Sequence, residues 1–143
     1  MKNIRVISKA VIFNGDSVLV LKRSASAKHR PLEWDLPGGY LEENEELTSG
    51  CIREIKEETG LKMQPSNLYL AHAQSQPNSL SGGDSLLIFI GRTSSVDIKL
   101  SHEHSNFKWV TLKEAIETET HPLHLKALKY IQDNKLIPMA VET

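Results

Sequence analysis

The sequence has 143 residues and a formal net charge of -1, with 39% hydrophobic and 24% charged residues, which suits one globular domain that buries a core without disulfides or structural metal. No stretch approaches the roughly 18 consecutive apolar residues of a membrane span, the near-zero charge gives no general pull toward nucleic acid or anionic membrane, and Met1 to Ala10 lack the apolar run of a signal peptide. Cys51 is the only cysteine, so no intrachain disulfide is possible, and a buried small side chain in a reducing, cytoplasmic compartment is the simpler expectation.

Val6 to Phe13 and Val18 to Leu21 are β-rich runs separated by Asn14-Gly15-Asp16, and Asn-Gly marks a hairpin because both residues tolerate positive φ. A polar stretch, Lys22 to Pro31, leads to Trp34-Asp35-Leu36-Pro37-Gly38-Gly39, where proline and paired glycine break regular structure. Glu45 to Thr59 are good helix formers, and Gly60 is a natural C-terminal stop. Leu68 to Ala73, Ser85 to Ile90 and the short Phe107 to Val110 read as strands, with Gly82-Gly83 in the loop before the second. Thr111-Leu112-Lys113-Glu114 has the form of a capping box, and Pro122 suits the first turn of a last helix that runs to about Asn134. The pattern predicts an α/β (α+β) protein: one domain over residues 1–143, with a mixed sheet and helices packed on its faces.

On a helix Glu54, Glu57 and Glu58 stand at i, i+3 and i+4 and crowd one face, where like charges repel. A hard cation is one reason to put three carboxylates there; a solvated acidic face is the other. Leu47, Cys51, Ile52 and Ile55 form an adjoining apolar stripe, so the helix can pack on a sheet with its acidic edge at a cleft. With no Cys or His in the acidic cluster, Mg²⁺ or Mn²⁺ is expected rather than zinc, with substrate phosphates completing the coordination.

From Gly39 the spacing is five residues to Glu45, seven more to Arg53, then Arg53-Glu54-Ile55-Lys56-Glu57-Glu58-Thr59-Gly60-Leu61. This resembles the Nudix box, Gly-x5-Glu-x7-Arg-Glu-U-x-Glu-Glu-x-Gly-U with U a bulky aliphatic, at every defined position. The likeness extends through Trp34 to Gly39 before the box and Glu103 to Trp109 after it. It implies the Nudix fold, a mixed sheet sandwiched between helices, and hydrolysis of a nucleoside diphosphate linked to another group. It also implies that Glu54, Glu57 and Glu58 bind the metal with the Gly38 carbonyl as a further ligand, and that Arg53 and Glu45 orient the site through a salt bridge. Asn44 stands where many members have glycine, and asparagine is the next best residue for a left-handed turn. Gly50 and Cys51 replace the family's usual small residues, and close packing against a strand would account for both.

For the proton of the attacking water two carboxylates compete. Glu54 lies within the box, whereas Glu103 in Ser101-His102-Glu103-His104 resembles the family loop that brings a glutamate to the metals, and it is the preferred base. His102 and His104 read as solvent-facing or bonded to neighbours. Lys22, Arg23, Lys28 and Arg30 lie where members often place phosphate-contacting cations; Arg23 is the best candidate, with Gly39 and Trp34 as further substrate contacts. Trp34 reads more readily as packing under the loop than as stacking on a base. The expected substrate is a nucleoside triphosphate, oxidised or noncanonical bases included, cut to the monophosphate and pyrophosphate. Pro77, in Gln76-Pro77-Asn78, hints at the alternative of ADP-ribose or a nucleotide sugar. A nucleotide-binding sensor that does not cut is the alternative of another class, disfavoured by the intact glutamates. A monomer or homodimer with no nucleic-acid partner is expected.

Overall fold

The first hairpin closes one residue later than the Asn-Gly signal suggests. In the computed structural model, which describes residues 3–78 and 80–138, β1 (Arg5–Asn14) and β2 (Ser17–Arg23) pair with Asn14 opposite Ser17. The connecting residues are therefore Gly15 and Asp16, and of these only Gly15 takes positive φ, +58°.

Two short strands follow where the sequence predicted only a break: β3 (Trp34–Asp35) and β4 (Gly38–Tyr40). The box helix, α1 (Leu47–Thr59), starts later than the expected Glu45. Its N-cap is Glu46, whose carboxylate accepts from the Thr48 and Ser49 amides, and Gly60 ends it in a left-handed conformation at φ +77°. After a 3₁₀ turn at Pro65–Asn67 come β5 (Leu68–Gln76), β6 (Asp84–Arg92) and β7 (His104–Thr111). The helix α2 (Leu112–Thr118) opens with the Thr111/Glu114 capping box, both reciprocal bonds present, and α3 (Pro122–Asp133) has Pro122 in its first turn.

All seven strands form one mixed sheet in the order β3-β2-β1-β6-β5, with β4 added to β1 and β7 to β2. Only β1 and β6 run parallel. The apolar alternation of β1 divides the core between its two faces. Ala10 and Ile12 pack with Cys51 and Ile55 of α1, while Val11 and Phe13 pack with Ala115 of α2 and Ala127, Leu128 and Ile131 of α3. Helices thus cover both faces, as expected. None of them, among the described residues, is long and apolar enough to cross a membrane.

A fork in this sheet positions the site. β1 and β2 are in register at Phe13–Val18 and Asn14–Ser17, after which they part: β1 takes β4 as its neighbour at Ile7–Lys9, and β2, paired with β7 along its other edge, takes β3 at Leu21 and Lys22. The gap between them opens a cleft of about 700 Å³ whose lining includes Lys9 from β1, Arg23 from β2, Asp35 from β3 and Gly38 and Gly39 from β4.

Candidate active site

One wall of the cleft is the acidic edge of α1. Glu54 and Glu58 line it, and Glu103 reaches in from the turn before β7. The Glu58 side chain is buried and accepts from the Gly38 amide at 2.7 Å. Burial pushes its carboxyl up to about 8, against the opposing pull of Lys9 and that amide. Burial also raises Glu54, with Arg53 opposing. Carboxylate atoms of Glu58 and Glu103 and a ring nitrogen of His104 lie within 4.8 Å of one another. A buried carboxylate from α1 and an exposed one from a distant turn converge as donors for a hard divalent cation, so these residues fit the metal that the box implies.

Glu57 stands apart. Its side chain is 58% exposed and accepts from the Arg53 guanidinium at 3.3 Å rather than facing Glu58. Arg53 is the organiser of this wall, within salt-bridge reach of Glu42, Glu45, Glu54 and Glu57. The Glu45 salt bridge forms as expected, at 2.6 and 3.0 Å through two guanidinium nitrogens. Its geometry differs from the expectation, because Glu45 precedes the helix and sits in the turn that Asn44 makes at φ +59°. Arg53, with the Glu42 amide, lowers the Glu45 carboxyl to about 2.

Glycine makes room for these carboxylates. A Cβ on Gly39 would stand 2.7 Å from the Glu54 carboxylate, and one on Gly50 would stand 2.7 Å from Glu45 Oε1 and 2.8 Å from Leu41 Cδ1. Gly50 therefore accommodates the loop that carries Glu45, not a strand. Cys51 behaves as expected: it is fully buried, and burial drives its thiol up to about 12.

Arg23, Lys28 and Arg30 also line the cleft, but Lys22 does not. Arg23 donates to the His29 carbonyl at 2.8 Å and to Asp35 at 3.4 Å. Trp34 does not line the cleft, contrary to its assignment as a substrate contact. It packs against the α2/α3 side of the core, with the Lys108 ammonium 4.3 Å above its ring. Gly39 does line it.

The cleft lining also holds a buried charged group that the sequence reading missed. Lys9 Nζ donates to Asp35 at 3.2 Å, to the Leu36 carbonyl at 3.1 Å and to the Gly38 carbonyl at 3.2 Å, so the predicted metal-ligating carbonyl already holds an ammonium. Burial alone would raise Asp35, but Lys9, His124 and Arg30 outweigh it and hold the carboxyl well below its usual range. His124 Nδ1 stands 3.3 Å from Asp35 and 3.6 Å from Glu119. The available signal was a lysine inside the apolar run of β1.

The turn bearing Glu103 is tied down at both ends. Ser24 donates its amide to the Glu103 carbonyl at 2.9 Å and its hydroxyl to the His102 carbonyl at 2.7 Å. Upstream, the Lys99 amide donates to the Thr59 carbonyl at 2.8 Å, in the last turn of α1. His102 is exposed as expected, but His104 is 4% exposed, and burial pushes it down to about 4.

A carboxylate-walled cleft, an arginine-pinned box helix and cations in the same cleft are what a family of phosphate-bond hydrolases requires, and the comparison with known proteins agrees. The NUDIX domain model matches residues 4–132, and the chain belongs to the Nudix hydrolase family. It is 29% identical over 99 residues to the asymmetrical bis(5'-nucleosyl)-tetraphosphatase of Caenorhabditis elegans, a match covering 64% of this chain and 67% of that one. It is 33% identical over 101 residues to Nudix hydrolase 8 of Arabidopsis thaliana, covering 70% of this chain but 27% of the plant protein, so it spans about a quarter of that relative. The crystal structure of a MutT protein from Methanosarcina mazei Go1 superimposes with a TM-score of 0.79 at 29% identity, covering 94% of this chain and 98% of that one.

Proposed function

We propose that this chain is a magnesium-dependent hydrolase of a diphosphate bond in a nucleoside-diphosphate-linked substrate. The observation that carries the reading is the convergence of Glu58 on the box helix with Glu103, from a separate turn, in a cleft also lined by Arg23, Lys28 and Arg30. Mg²⁺, or Mn²⁺ in its place, would be held by Glu54, Glu57, Glu58 and the Gly38 carbonyl, and would neutralise phosphate charge as it builds in the transition state. For Glu57 this requires its exposed side chain to turn from Arg53. Glu103 accepts the proton of the attacking water, since Glu54 is half-buried and already engaged with Arg53 at 3.0 Å. Arg53 and Glu45 orient the carboxylates, while Arg23 contacts the phosphate chain. The lone buried thiol of Cys51 suits a cytoplasmic setting.

A nucleoside triphosphate cut to monophosphate and pyrophosphate is the first substrate reading. The second, a dinucleoside tetraphosphate, is favoured by the C. elegans relative, which aligns over most of both chains. ADP-ribose and nucleotide sugars complete the panel to be assayed with Mg²⁺ and Mn²⁺, with products resolved by anion exchange. Absence of turnover on every compound would return the protein to the class of nucleotide sensors. Glu103→Gln is expected to lower kcat by about 10²–10⁴-fold; a rate unchanged across pH would transfer the role of base to Glu54.

A further inference from the structure

The turn that presents Glu103 also presents a group that the hydrolysis reading does not use. His104 opens β7 opposite Arg23 of β2, it is 4% exposed, and neither of its ring nitrogens has a hydrogen-bond partner among the described residues. Buried polar atoms are almost always satisfied, and those left unpaired cost stability. An imidazole in this condition calls for a ligand from outside the chain.

Its immediate surroundings say which kind. The ligand atoms of Glu58, Glu103 and His104 lie within 4.8 Å of one another. Atoms that share an ion at about 2.1 Å stand at most about 4.2 Å apart, so the site closes with side-chain shifts below about 1 Å. Glu103 is exposed and free to supply them. The backbone beneath is held by Ser24 through its bonds to Glu103 and His102. Nor does Lys9 fill the position, because the hydrogen bonds of its ammonium go to Asp35, Leu36 and Gly38.

We propose that Glu58, Glu103 and His104 form a mixed oxygen and nitrogen site for a first-row transition ion such as Mn²⁺, Co²⁺ or Zn²⁺. Mg²⁺ is hard and keeps to oxygen, whereas an imidazole donor shifts preference toward the transition series. With such an ion bound, Glu58 and Glu103 leave the roles of Mg²⁺ ligand and base given above, and the oxygen-only donors Glu54, Glu57 and the Gly38 carbonyl remain for Mg²⁺. The proposal rests on the functional reading in taking Glu58 as a ligand.

The test is electron spin-echo spectroscopy on the full chain titrated with up to two equivalents of Mn²⁺, at natural abundance and with ¹⁵N-labelled histidine. A single imidazole ¹⁴N modulation is expected, replaced on labelling, lost in His104→Gln and retained in His102→Gln. In His104→Gln the affinity for Co²⁺ alone, followed by its visible absorption, is expected to fall about 10–100-fold. Modulation that persists in His104→Gln, or disappears in His102→Gln instead, overturns the assignment. Should His104→Gln not fold, the labelled wild type decides alone: Mn²⁺ bound without nitrogen coupling overturns this site and leaves metal-dependent hydrolysis standing. Failure of Mn²⁺ to bind at all overturns both.

Discussion

Arg53 reaches Glu45 through two nitrogens of one planar guanidinium and extends the same group to Glu54 and Glu57. A lysine keeps the charge but not the fork, so Arg53→Lys is expected to reduce activity by about 10–100-fold. Steady-state rates across a Mg²⁺ titration check this, and an unchanged rate would remove Arg53 from the orienting role. The same contact makes stability depend on acid. The Glu45 carboxyl is held at about 2 in the fold, below its ordinary value, by the hydrogen bonds from Arg53 and the Glu42 amide. The folded state therefore keeps a charge that the unfolded chain loses as pH falls. This contribution is complete above the unfolded value and vanishes as pH drops through the folded one. The stability difference between wild type and Glu45→Gln, from urea melts at stepped pH, is expected to be flat near neutrality and to shrink across that window. Glu54, Glu58 and the Arg53–Glu45 pair were legible because a helix and the turn before it convert sequence spacing directly into neighbourhood, whereas Glu57 lies exposed against Arg53. Lys9, Asp35, His104 and His124 were not, because the fork in the sheet brings them together from four separate elements.

The two glycines of β4 are adjacent yet constrained by different things. Gly38 takes φ +136°, and a Cβ there would run into the Ser8 carbonyl, which the β1 ladder fixes. Gly38→Ala is expected to cost roughly 3 kcal/mol or more, combining backbone strain with a clash that cannot relax. Gly39 faces only the far end of the Glu54 side chain, which can move. Gly39→Ala is expected to keep a near-native Tm while losing activity as Glu54 is displaced. Thermal melts and rates on both variants separate the cases, and equal loss of stability would defeat the distinction. Elements with their own local punctuation were readable: the hairpin by Gly15, α1 by Gly60, α2 by Thr111 and Glu114. β3 and β4, with two and three residues, are too short to show a period, and only the ladders of β2 and β1 make them strands.

Across the whole molecule the sheet separates the core packed under α1 from the core packed under α2 and α3. Ile131 of α3 is fully buried in the cluster that excludes α1. Ile131→Ala is expected to destabilise the fold by about 2–5 kcal/mol while leaving the rate per folded molecule unchanged. Urea melts with rates measured well below the transition test this, and a matching fall in kcat would mean that the two faces communicate. On the α1 side, residues far apart in sequence are bound into one unit, with the Lys99 amide on the end of α1 and the Glu103 turn on Ser24. Loosening of the helix end therefore frees the Glu103 turn as well. The Lys99 proton should exchange with deuterium only when the last turn of α1 opens, so one amide's exchange clock reports how long that unit stays assembled.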